Sequence, residues 1–87
     1  MPDDDSLRVR EFVRMFRLIS TAKEAAEALQ LRNLVHLTNM ALLQVALDWD
    51  GLDPERDPDI DLGGLVREKA RIAMRNGREN LLVLPHT

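Results

Sequence analysis

The run Asn33-Leu34-Val35-His36-Leu37-Thr38-Asn39-Met40-Ala41-Leu42-Leu43-Gln44-Val45-Ala46-Leu47 holds fifteen residues without a charge, although Asp, Glu, Lys and Arg make up 31% of the chain. Wound as a helix, it carries apolar side chains on more than one side, and such a helix must be covered on more than one side. The chain has only 87 residues, one domain near the size at which a single core barely suffices. Self-association is the expected remedy. The run is not a membrane span: with Asn33, His36, Thr38, Asn39 and Gln44 inside it, it is too short and too polar for a bilayer that needs ~20 apolar residues.

Outward from this run, no glycine or proline interrupts the chain from Asp3 to Asp50, so the whole segment permits helix. Ser6 is the candidate N-cap of the first helix. Val9, Phe12, Val13, Phe16 and Ile19 follow at helical periodicity, with Arg10, Arg14 and Arg17 on the opposite side. Thr21 followed by Glu24 has the spacing of a capping box, which allows a break near residues 20–21. Gly51, Pro54 and Pro58 end the helical region in a loop, and Trp49 at its mouth is expected to pack its ring on the core edge. A third helix is expected over 62–76, closed at Asn76-Gly77, with Leu65, Val66, Ala70, Ile72 and Ala73 as its apolar side and Lys69 intruding on it. The expected organisation is thus one domain: an acidic tail at 1–5, a helical region at 6–48, an acidic loop at 49–61, a third helix at 62–76 and a tail at 77–87.

Phe12, Met15, Ile19, Ala22, Ala26 and Leu29 are spaced alternately three and four apart, the coiled-coil pattern. Carried onward, the register reaches Asn33, His36, Met40, Leu43 and Leu47. Leu31, Leu34, Leu42 and Val45 face elsewhere. Two seams imply two partners, one within the chain and one a second copy of it. The expected fold is all-α: a helical hairpin or a three- to four-helix unit that dimerises into a helical bundle, with Phe12, Phe16, Ile19, Leu29, His36, Met40, Leu43 and Leu47 in the core or dimer seam.

The net charge of −3 is unevenly distributed. Residues 48–61 carry Asp48, Asp50, Asp53, Glu55, Asp57, Asp59 and Asp61 against Arg56 alone. Residues 65–78 carry Arg67, Lys69, Arg71, Arg75 and Arg78 against Glu68 alone. Asp57, Asp59 and Asp61 alternate as calcium-loop ligands do, with Glu68 at the bidentate position, but Leu62 stands where that loop needs glycine, Pro58 occupies its second position and Gly64 its apolar eighth. A solvated acidic loop, with Asp59 or Asp61 capping the third helix, is the better account. The arginine rows resemble a phosphate-binding array. The acidic balance, the absence of tyrosine and the scarcity of other aromatics argue against base stacking.

His36 and His86 lack a second ligand at metal spacing, so a hydrogen-bonded core or interface role is favoured for His36 over a metal or haem site shared with Met40. Cysteine is absent, which removes disulfides, thiolate metal sites and a cysteine nucleophile. No nucleophile stands with a base, and Gly63-Gly64 is too little for a phosphate loop. No catalytic residue, metal or cofactor is predicted. The acidic start Met1-Pro2-Asp3-Asp4-Asp5 lacks the order of a secretory signal, and a cytoplasmic protein is expected. The expected function is a non-catalytic interaction or regulatory module acting through protein-protein contacts. It would be homodimeric through its first two helices, with Arg10, Arg14, Arg17, Arg67, Arg71, Arg75 and Arg78 as contacts for an unidentified partner. The alternative is a small nucleic-acid-binding regulator using the same arginines.

Overall fold

The computed structural model describes the backbone of residues 2–83 and the side chains of residues 7–75. Among them the chain is all-helical: α1 (Pro2–Ala28), α2 (Arg32–Asp50) and α3 (Leu62–Val83). No helix is long and apolar enough to cross a membrane among the described residues. α1 begins at Pro2 rather than Ser6, because proline lacks the amide that a first helical position leaves unbonded. Residues 2–5 are therefore the first turn of α1 and not a separate tail; the Ser6 side chain lies outside the described residues.

α1 does not break at Ser20-Thr21. The Thr21 hydroxyl donates to the Arg17 carbonyl at 2.9 Å, one turn back along the same helix, so it caps nothing. The break comes at Leu29-Gln30-Leu31. Gln30 adopts the left-handed conformation, with φ of 59°. Its amide donates to the Glu27 carbonyl at 3.0 Å, and that of Leu31 to the Ala26 carbonyl at 2.9 Å. This is a Schellman closure, with Ala26 at its start buried and Leu31 at its end exposed. α2 ends in the same motif with glycine in place of glutamine. Gly51 has φ of 65°, and the Gly51 and Leu52 amides donate to the Asp48 and Leu47 carbonyls.

The Asp61 carboxylate accepts from the Gly64 amide at 3.1 Å, the side-chain cap expected at the start of α3. A Cβ on Gly64 would collide with that carboxylate, whereas one on Gly63 would press on the flexible end of Arg67 and meet Asp61 at ordinary contact distance. α3 does not close at Asn76-Gly77 but runs on to Val83, and so includes the first part of the expected tail. A lone glycine weakens a helix interior by about 1 kcal/mol without ending it.

α1 and α2 form an antiparallel hairpin. Its open end is fixed where the Arg8 guanidinium donates to the Asp48 and Trp49 carbonyls, at 3.0 and 3.2 Å. The core cluster is Val13, Phe16, Leu42, Val45, Trp49 and Ala73, with Phe12, Ile19, Val66, Ala70 and Ile72 packed against it. It lies toward the open end, where α3 meets both other helices. The molecule spans 43 × 42 × 15 Å. α1 alone is ~40 Å long, so two such extents place α3 across the hairpin rather than alongside it. With helix layers ~8–10 Å apart, the thin dimension admits two layers and no third.

The break at Leu29–Leu31 corrects the continuous seam, because a register cannot pass through a left-handed residue and a reversal of direction. Phe12, Phe16 and Ile19 do line the core. Leu47 is buried and Leu43 half-buried, both within the chain. Leu29, His36 and Met40 are exposed.

Candidate functional site

Directions around each helix decide what the hairpin offers a partner, and at 3.6 residues per turn each residue advances about 100°. With Phe16 as the core direction of α1, Arg17, Arg10 and Arg14 lie about 100°, 120° and 160° round on one side. Met15, Ala22, Leu29 and Leu18 lie about 100°, 120°, 140° and 160° round on the other. With Leu42 as the core direction of α2, Leu43, His36, Leu47 and Met40 fall about 100°, 120°, 140° and 160° round on the first side, and Leu34, Ala41 and Leu37 about 80°, 100° and 140° round on the second. Because the two helices run antiparallel, corresponding sides share a broad face. The hairpin thus has an arginine face and an uncharged face.

On the arginine face, Arg10 and Arg14 are exposed and Arg17 is half-buried. Arg14 stands 3.9 Å from Glu11, a loose and exposed pair that adds little. Asp50, the residue that α3 reaches with Lys69, lies on this side of α2, about 80° from Leu42. On α3 itself Arg67, Arg71 and Arg75 are exposed. None of Arg67, Arg71 and Arg75 makes an ion pair with another described residue. The side chain of Arg78, the last of the expected contacts, lies outside the described residues, as does His86.

The uncharged face is the more apolar. Leu18 and Leu37 are 61% exposed, Leu29 is 70% exposed, and Met15 and Leu34 are exposed beside them. From Met15 to Leu29 on α1 and from Leu34 to Gln44 on α2, the one charged side chain toward this side is Lys23, half-buried and only about 20° from the core direction. Glu11 and Asp48 mark its limit at the open end. Thr38, at the hairpin interface, is buried with its hydroxyl donating to the Leu34 and Val35 carbonyls of its own helix, so it leaves no unsatisfied group.

The open end holds an arrangement that periodicity missed. Arg8 sits 4.6 Å over the Phe12 ring, Phe12 stacks on Trp49 at 5.8 Å and 10°, and Lys69 lies 4.9 Å over the other partner, Trp49. Lys69 also pairs with Asp50 at 2.7 Å. The sequence shows Lys69 as an intruder on the apolar side of α3. The structure shows why it is tolerated: the stem is buried against the core while the ammonium meets a carboxylate and a ring face. Arg8 supplies the carbonyls at the end of α2 with donors and with positive charge at the negative pole of the helix. The only hint of it in the sequence is an arginine one turn before Phe12.

The acidic loop is tied to itself. The Asp57 carboxylate accepts from the Asp53 amide at 3.2 Å and from Arg56 Nε at 3.1 Å, while Arg56 Nη2 donates to the Gly51 carbonyl at 2.8 Å. The Asp53 amide, and after it Arg56, hold the Asp57 carboxyl below its ordinary value of 3.8. Asp61 is occupied as a cap. Among the described residues no three His, Asp or Glu side chains come together at metal-binding distances. At the hairpin tip Glu27, Gln30, Arg32 and Val35 line an open concavity. No protein-family model, curated protein or solved structure matches the chain.

Proposed function

We propose that the chain is a non-catalytic protein-protein interaction or regulatory module, working in the cytoplasm as a homodimer through α1 and α2. The observation that carries this reading is the exposure of large apolar residues along both hairpin helices, Leu18, Leu29, Leu34 and Leu37 among them. Soluble monomers seldom leave such residues grouped without a partner. The solvent-facing arginines, Arg10 and Arg14 on α1 and Arg67, Arg71 and Arg75 on α3, are the contacts for an acidic partner protein.

The same arginines favour a second reading, a nucleic-acid-binding regulator. One experiment separates the two: capture of partners from native lysate on the full chain, with and without nuclease, followed by mass spectrometry. The interaction module predicts a protein partner that survives nuclease and is lost when Arg10, Arg14 and Arg17 are changed to Glu. Partners that disappear with nuclease would support the second reading.

A further inference from the structure

We infer that the uncharged face of the hairpin, carrying Met15, Leu18, Ala22, Leu29, Leu34, Leu37 and Ala41, is the surface on which a second copy of this chain seats, face to face, to make a four-helix core from two hairpins. The inference rests on the homodimer proposed above and specifies its interface, keeping Leu29 of the seam expected from periodicity and adding residues on the same side of the hairpin.

Charge selects the occupant. A two-fold interface is isologous, so a face meets its own image. The arginine face would gather Arg10, Arg14 and Arg17 of both copies, six cations, into one interface. The uncharged face brings no like charges together between its limits at Glu11 and Asp48, since Lys23, about 20° from the core direction, points along the hairpin interface and not out of the face. Size is consistent with this occupant: about 25 Å of hairpin by two helix diameters of ~10 Å gives a footprint on the order of 500 Å² in projection. The ridged accessible surface is larger than its projection, so the contact belongs toward the small end of interfaces, for which about 800 Å² per partner is standard. Geometry leaves the face free, since the 15 Å thickness holds the hairpin and α3 and no further layer. Small residues at Ala22 and Ala41 let helix axes approach closely, as in bundle cores. Packed this way, the dimer keeps Arg10, Arg14 and Arg17 outside the contact, so one arginine surface per copy remains open to an acidic partner.

Sedimentation equilibrium of the full chain tests this, over about 1 to 100 µM, a range centred on a micromolar dissociation constant. The expected mass is twice the 9.9 kDa of the chain. Leu18→Glu and Leu37→Glu, at residues too exposed for either change to unfold the monomer, should give the single-chain mass with unchanged helical circular dichroism. Met40→Glu is the control: Met40 is 52% exposed but lies on the arginine face, and its variant should stay dimeric. A single-chain mass for the unmodified protein overturns the inference and with it the homodimer; the partner reading is judged separately by the capture experiment. A dimer that survives Leu18→Glu and Leu37→Glu but falls apart with Met40→Glu overturns the chosen face and leaves the homodimer standing.

Discussion

The two ends of the α1–α2 hairpin are built from similarly apolar sequence and are covered very differently. At the open end, Phe16 and Trp49 are buried between three helices, and Lys69 is buried with them beside Asp50. At the tip, Leu29, Leu34 and Leu37 stand in solvent. Hydrophobicity along the chain does not distinguish the ends. What does is the third helix, which lies across one end and leaves the other with two helices. A two-helix tip can bury only the strip where its helices touch. Folding stability is therefore concentrated at the open end, and the tip is left apolar, as the proposed homodimer requires.

The largest expected effect that sharpens this contrast is Trp49→Ala. It empties the centre of the Arg8-Phe12-Trp49-Lys69 stack and should cost about 3–5 kcal/mol in urea unfolding. Leu37→Ala, measured where the protein is monomeric, should change stability by no more than about 0.5 kcal/mol. Equal costs at the two positions would break the contrast.

Next comes the ion pair that holds α3 to α2. Asp50→Asn leaves the Lys69 ammonium buried without its carboxylate and should cost about 2 kcal/mol, less than the loss of a fully enclosed partner because Asp50 is partly in water. Lys69→Met removes the same pair but keeps the apolar stem packed, and should cost under about 1 kcal/mol. Comparing the two by thermal unfolding shows whether the buried charge or the pair itself matters.

The smallest effects concern the two matching helix ends. Gly51→Ala puts a side chain on a left-handed residue and should destabilise by about 1 kcal/mol. Gln30→Gly relieves the same conformation at the tip and should stabilise by about 0.5 kcal/mol after allowing for the freer unfolded chain. For a domain of this size that is a rise of a few degrees, about 2–4 °C, in Tm.

These two ends also show what was legible in the sequence. Gly51, with Pro54 and Pro58 behind it, announces the end of α2, and Asp61 announces the start of α3. Nothing announces the end of α1. Leu29-Gln30-Leu31 reads as continuing helix, since a glutamine in the left-handed conformation carries no mark and is held there by the carbonyls of Glu27 and Ala26. Because that reversal was hidden, the apolar register ran on through it and joined His36 and Met40, both exposed, to the register of α1. The Thr21-Glu24 spacing misled for a local reason: a hydroxyl inside a helix can bond backward to Arg17 as readily as forward. Arg8, Asp50 and Lys69 were unreadable because each is explained only by a residue brought close through folding. Arg10 and Arg14 on α1 and Arg67, Arg71 and Arg75 on α3 were legible as exposed helix faces, and their exposure follows from the apolar positions opposite them.

Amide hydrogen exchange at two protein concentrations tests most directly the claim that the open end carries the fold while the tip carries the association. When dilute, amides of Leu42 to Trp49 should exchange slowly and those around Ala22 to Leu29 and Leu34 to Leu37 faster; raising the concentration should slow the tip amides and leave the open end unchanged. Tip amides as slow as the open end when dilute, or indifferent to concentration, would contradict the account.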